Sequence, residues 1–323
     1  MPTFVIRRLL RLVPLLFGIV TLTFLLLQIA PGDFLSTAME NPSFSPGAVD
    51  ALRHRFGLDQ PWYVQYGLYL KNLILHFDLG LSFSRHEPVA TVLGECLANT
   101  LLLATSAALV TWGLAVPLGA VAAVRAHGWV DRGLSWLAFL WLSIPELLSG
   151  LLLLMLAART GWLPIGGMRS IDWDTMGAGA RVLDVLRHLV LPALVTGLVP
   201  LASRMRQMRA SLLDVLRLDY VVTARAKGLD ERAVVLRHAL PNALNPLITL
   251  FGYTLGALVS GSFVAEIVFS WPGLGRVTVE ALLAQDTYMV LGGVLMASVV
   301  LVLGNLIADL LLAASDPRIV HDH

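Results

Sequence analysis

Two carboxylates stand where apolar runs would otherwise be unbroken. Glu146 follows Pro145 inside the run 133–158, and Glu266 closes the run 242–265. An ionisable side chain at such a depth is costly and marks a functional position by default. Glu146 has two roles open to it: lining a path and meeting a cationic group, or accepting hydrogen bonds freed by a kink at Pro145. Asp309, near the end of the last apolar run, reaches water. The densest charge lies elsewhere, in "YVVTARAKGLDERAVVLRHALPNAL" at 220–244, a polar island between two apolar runs.

Other chemistries are excluded by what the chain lacks. A phosphate-cradling loop needs Gly-x-x-x-x-Gly-Lys-Ser/Thr, and no Gly-Lys pair occurs; the only lysines are Lys71 and Lys227. The chain is therefore not expected to be an enzyme or to hydrolyse nucleotide. No His-x-x-x-His pair offers a zinc site, and His321 and His323 read as a frayed tail. Cys96 is the single cysteine, so no internal disulfide forms; it reads as a small buried hydrophobe. With a net charge of +1 and no basic tail, nucleic acid is not an expected partner.

The elements that must position these residues are membrane spans. Of the 323 residues, 57% are hydrophobic and 14% charged, against about 25% charged in a soluble domain. Crossing a bilayer core takes about 20 apolar residues. Six runs supply them: 12–32, 96–124, 133–158, 189–203, 242–265 and 287–308. The fourth is short and borrows a turn from each side. The first is too long for a secretory h-region and has no small-x-small cleavage pattern close behind it, so it is expected to be retained. Fourteen of the 23 basic residues fall in segments that share a side with the N-terminus, which predicts cytoplasmic termini and a cytoplasmic 204–241 loop. Prolines 14, 117, 145, 192, 200 and 246 permit kinks. Outside the spans, "PWYVQYGLYLKNLILHF" has helical spacing with Pro61 as its first residue, and 159–187 is a second outer loop rich in glycine.

Within the loop, Gly228 separates two helical pieces, and Pro241 suits a turn back into the membrane at Asn242. The spacing adds more. Gly228, nine residues and then "HALP" at 238–241 resembles the cytoplasmic loop of ATP-binding-cassette importer permeases, which reads Glu-Ala-Ala, three residues, Gly, nine residues, Ile-x-Leu-Pro. Val222, Thr223 and Ala224 occupy the Glu-Ala-Ala positions and His238 the Ile position. The stretches "RRLLRLVPLLFGIVTLTFLLLQIAPGD", "FGLDQPWYVQYGLYL", "GWLPIGG", "HLVLPAL", "EIVFSWPGLGR" and "DPRI" are similar, in the same order, to the peptide/nickel branch of that family. "HFDLGLSF" departs from the usual Gly-Asp-Leu-Gly and leans towards the nickel and metal-chelate members.

The resemblance implies an all-α integral membrane protein with six transmembrane helices and the type I ABC importer permease fold. It implies an N-terminal helix with an extracytoplasmic segment over 1–94, a permease domain over 95–312 with its coupling loop at about 204–241, and a cytoplasmic tail over 313–323. It also implies half of a translocation path for di- or oligopeptides or for nickel and other metal chelates, in a bacterial-type inner membrane. Partners follow: a second, homologous permease, two cytoplasmic ATP-binding subunits that use ATP and Mg, and an extracytoplasmic solute-binding protein, all among membrane lipid. The chain itself is expected to bind no cofactor. The loop forms a short helix seated in a groove of an ATPase. Val221, Val222 and Ala224 are expected to give buried contacts there and Arg225, Lys227, Arg232 and Arg237 a charged rim, with Thr223, Gly228, His238, Leu240 and Pro241 also among the coupling residues. Glu266 matches an acidic family position near the substrate entrance. The competing reading is a secondary transporter driven by an ion gradient, which expects intramembrane charge pairs and broken helices at internal repeats; one Glu and no visible inverted repeat count against it. A scaffold or receptor without transport leaves the loop spacing unexplained.

Overall fold

The computed structural model describes residues 2–30 and 59–315, without the side chains of 2–9, 11, 249, 252, 253, 255–260 and 308–315. Segment 33–58, the side chains of Arg7, Arg8, Arg11 and Asp309, and Arg318, His321 and His323 lie outside that description. Among the described residues the chain is helical, with one isolated β-bridge between Leu81 and Pro88. Contacts divide it into two compact units, Met1–Thr100 with Pro272–Val302, and Leu101–Trp271 with Leu303–His323.

In the first unit, α1 (Pro2–Ile29) lays Val20 and Phe24 against α2 (Trp62–His76) and the start of α11 (Thr287–Ser315). The faces of α2 follow its periodicity. Tyr66, Tyr69, Leu70 and Leu73 turn inward, while Trp62, Ile74 and Phe77 are exposed. Pro61 is not the first helical residue but the extended N-cap before it (ψ 144°), whose carbonyl accepts from Val64 N–H (2.9 Å) and Gln65 N–H (3.2 Å). Asp286 caps α11 through Met289 N–H (3.2 Å) and also accepts from Ser82 Oγ (2.6 Å) and Ser84 N–H (2.9 Å). One buried carboxylate thus ties the "HFDLGLSF" turn to a helix start. Nearby, Asn99 donates to the Pro272 carbonyl and Leu274 N–H to Thr100 Oγ1, fixing α10 (Leu274–Leu283) to α3 (Val89–Val124).

In the second unit the expected third span is broken. Helices α4 (Trp129–Ser143) and α5 (Glu146–Thr160) meet at 105°. Proline removes the bond that would carry a helix through and pushes its predecessor to extended backbone; Ile144 has ψ 123° and Pro145 ψ 141°. Prolines 14, 117, 192, 200 and 246 instead lie within continuous helices. The short fourth run belongs to the longest helix, α6 (Ala178–Val215, 38 residues). Among the described residues four helices are long and apolar enough to cross a membrane, or five with the bent pair counted as one span. The fifth expected run forms α8 (Leu240–Gly261, 22 residues), much of which falls among the undescribed side chains.

Close packing locks α3 to α6. A Cβ on Gly119 would lie 2.6 Å from the Met205 carbonyl oxygen, and one on Gly197 would lie 3.0 Å from that of Ala107. Thr111 Oγ1 donates to the Gly197 carbonyl at 3.0 Å across the same seam. Small residues and hydroxyl bonds of this kind hold helices together where lipid gives no hydrophobic drive.

Candidate functional site: the polar elbow

The loop after α6 is a compact helical elbow. Helix α7 (Asp219–Ala226) turns Val221 and Ala224, three residues apart, onto Ala123, Met208 and Leu212 from the ends of α3 and α6, and onto Val234, Ala239 and Ala243. The next residue on each side, Val222 (53% exposed) and Thr223, faces outward. Val221, Val222 and Ala224 therefore do not share one role. Two of them hold the elbow down, and only Val222 is presented.

Gly228 ends α7 in a Schellman turn. Its φ is +79°, its N–H donates to the Arg225 carbonyl (2.9 Å), and Leu229 N–H reaches back to Ala224 O (3.4 Å). A Cβ added there would meet nothing within 4 Å. The requirement for glycine is one of backbone hand, not of room. Two residues later Asp230 caps the next helix, its Oδ2 accepting from Arg232 N–H at 3.1 Å. Across the turn Arg225 grips Glu231 with two bonds, Nη2 to Oε1 at 2.7 Å and Nε to Oε2 at 3.0 Å. These bonds hold the Glu231 carboxyl below its usual range. Lys227 and Gly228 are exposed at the apex.

Beyond the turn the chain does not bend at Pro241. Glu231–Ala233 runs into a widened π-helical turn, Val234–Ala239, and then into α8, with Leu240 N–H bonding Val235 O five residues back. The chain is already helical before Pro241, so the turn falls at 228–230 instead. Asn242 Nδ2 donates to the His238 carbonyl (2.9 Å) and to Tyr220 OH (3.0 Å), which pins α7 to the head of α8. His238 is half-buried, Leu240 packs into the core beneath α7, and Pro241 is exposed. Ser211 Oγ donates to Ala243 O (2.7 Å), joining α6 to α8. The exposed face keeps Val222, Leu229 and Leu236 (61%) beside Arg225, Lys227, Arg232 and Arg237. Apolar and basic side chains are thus presented together on the elbow, above a base of buried Val221, Ala224, Val234 and Ala239.

The sequence did not point to a part-buried ion pair between α4 and α6. Arg209 on α6 meets Asp131 on α4 with Nε–Oδ1 at 2.5 Å and Nη2–Oδ2 at 2.8 Å, and His127 N–H adds 2.8 Å to Oδ2. No local spacing links residues so far apart in the chain. A second cluster anchors "GWLPIGG": Asp184 on α6 accepts from Ser170 N–H (2.8 Å) and Ser170 Oγ (2.5 Å), and Gly167 N–H donates to Phe269 O (2.8 Å). Of the two intramembrane carboxylates, Glu266 is fully buried on α9 (Phe263–Val268) and accepts from Ser262 Oγ at 3.0 Å. Glu146 opens α5 at the break, with Oε1 buried and no hydrogen-bond partner for that oxygen among the described residues.

Residues 115–321 match the family described as binding-protein-dependent transport system inner membrane component, and residues 1–104 match the N-terminal region described for such membrane components. The chain belongs to this family. As a permease of the family it is 38% identical, over 99% of both chains, to the oligopeptide transport system permease protein AppB of Bacillus subtilis (strain 168). It is 36% identical, over 99% of both, to the di/tripeptide transport system permease protein DppB of Pseudomonas aeruginosa (strain UCBPP-PA14). To the dipeptide transport system permease protein DppB of Escherichia coli (strain K12) it is 35% identical over 98% of each. The permease also shares its fold with a chain of the MetNI methionine ABC transporter, solved in inward-facing conformations. That match has a TM-score of 0.50 at 18% identity and covers 68% of this chain and 96% of the other. The permease is thus a multi-pass inner membrane transport component of all-α build.

Proposed function

We propose that this permease is one half of the translocation path of an ATP-driven importer of di- and oligopeptides, and that its elbow is the part pushed by an ATPase subunit. The observation that carries the coupling role is the division of α7 into a buried and a presented face, with its C-terminal end closed by the turn at Gly228 and by the Arg225–Glu231 pair. A segment that transmits force needs a discrete, rigid arrangement, and a solvated connection has no need of one. Val222, Thr223, Lys227 and Gly228 form the contact, Arg225, Arg232 and Arg237 its rim, and Val221, Ala224, His238, Leu240 and Pro241 the support. Peptide cargo is favoured over nickel chelates by the peptide permeases that align along the whole chain. A second permease, two ATP-binding subunits carrying the ATP and Mg, and an external binding protein complete the assembly, with the elbow and both termini in the cytoplasm. Glu146 and Glu266 lie along the path. The 105° break resembles a feature of secondary transporters, but it is a single break in a chain matched from end to end by binding-protein-dependent permeases.

Reconstituted vesicles containing the complex and its binding protein test the proposal. Uptake of labelled di- and tripeptides should require ATP on the elbow side and should survive ionophores that collapse ion gradients. Uptake that proceeds without nucleotide, or that stops with the ionophore, would point to the gradient-driven reading instead.

A further inference from the structure

A cavity of about 630 Å³ between α4 and α6 has no part in the coupling elbow or the carboxylate path; Ser135, Phe139, Ser203, Arg206, Gln207 and Arg209 line it. We infer that it holds the phosphate headgroup of an anionic phospholipid from the leaflet on the elbow side. This does not depend on what the permease carries.

The charge balance of the cavity decides the sign of its ligand. Its nearest carboxylate, Asp131, is already saturated by Arg209, by His127 N–H and by Ser135 Oγ (3.4 Å). The pair formed with Arg209 is neutral. Arg206 remains as net positive charge, exposed and held 4.4 Å over the Phe139 ring. Gln207 accepts from Arg204 Nη1 with its carbonyl oxygen (3.3 Å), which leaves its amide NH2 as the donor end. Arg204 adds a second positive charge just behind, its Nε buried without a hydrogen-bond partner among the described residues. Guanidinium and amide donors with no competing carboxylate suit a phosphate.

Position decides the source. Ser203 closes the apolar run of α6 and residues 204–210 begin its polar end, so the cavity stands at the level where headgroups meet hydrocarbon. Trp136 and Leu140, which follow the lining residues Ser135 and Phe139 along α4, are exposed. Aromatic and aliphatic side chains at that depth border acyl chains, and basic pockets between spans collect anionic headgroups there. Inorganic phosphate has the same oxygens but nothing to place against Trp136.

The test uses the purified permease complex in detergent, with phosphatidylglycerol or phosphatidylcholine added and retained lipid counted by native mass spectrometry. Phosphatidylglycerol should be retained and phosphatidylcholine should not. Arg206→Gln should cut retention about five-fold, the worth of one basic residue at a charged membrane surface. Ser203→Trp, which fills the cavity and leaves its charge, should abolish retention, and Arg159→Gln at the far end of α5 should leave it unchanged. Equal loss in Arg206→Gln and Arg159→Gln would overturn the assignment, as would equal retention of the two lipids. Complete competition by inorganic phosphate would make the site one for a soluble anion, and displacement by a dipeptide would make it part of the cargo path; either result refutes the lipid.

Discussion

Gly228 allows strain in the elbow to be separated from contact with a partner. Its left-handed backbone (φ +79°) costs a residue with a Cβ about 1–2 kcal/mol, and least for asparagine. The open space around it means that no side chain adds a clash within this chain. Set against the roughly 5–15 kcal/mol that holds a folded domain, the penalty leaves insertion and folding intact. It lowers the population of the closed turn by about five- to thirty-fold at most. Gly228→Asn should therefore retain most peptide uptake, Gly228→Ala should lose part of it, and Gly228→Arg should abolish it, because arginine adds bulk that only a docked neighbour meets. All four proteins should appear in membranes in equal amount on immunoblots, and ATP-dependent uptake in vesicles gives the ranking. If Arg and Ala lower uptake equally, no neighbour sits over Gly228. If Ala is as dead as Arg, the requirement is wholly one of backbone.

Other perturbations read other parts. Asp131→Asn leaves the half-buried Arg209 without its counter-charge, which costs less than the ~3–5 kcal/mol of a fully buried pair; thermal unfolding in detergent should show a drop in Tm, while an unchanged Tm would mean that water already serves the pair. Gly119→Val drives a side chain into the Met205 carbonyl and should sharply lower the amount of permease in the membrane, where Gly94→Val, with open space around it, should not. Glu146→Gln removes charge from a buried oxygen with no hydrogen-bond partner among the described residues, so stability should hold or rise while uptake of peptides with a free amino terminus falls; unchanged uptake removes Glu146 from the path. The Glu231 carboxyl is held down by Arg225, so its contribution is present above the free carboxylate value of about 4.3 and is lost as pH falls through the lower folded value. Protease protection of the elbow in the wild type should exceed that of Glu231→Gln at about pH 7, and the gap should narrow as the pH is lowered past the free carboxylate value; a gap that does not narrow on acidification would assign the effect to packing.

The spans were legible because a bilayer asks for long apolar runs, and a run shows itself residue by residue. Gly228 was legible for a similar reason, as a left-handed position strongly favours one residue type and so leaves a mark at a fixed distance from "HALP". The straight passage through Pro241 was not, since it depends on a widened turn upstream that no single residue announces. Pro145 and Pro192 look alike in sequence. Only the packing around them distinguishes a helix that breaks from one that continues. Asp131 and Arg209 read as ordinary loop and helix charges until the fold brings them together. The same holds for Val221 and Val222, whose opposite faces depend on where α7 lies.

The snapped rod at Ile144–Pro145 has one more effect. Every helix start leaves amide hydrogens with no carbonyl of their own to meet, and at α5 those belong to Glu146, Leu147 and Leu148. Hydrocarbon offers them nothing, and irregular backbone survives at that depth only beside protein or a wet hollow. The corner at Ile144–Pro145 must therefore turn its bare amides to neighbouring protein or to water and cannot present them to acyl chains.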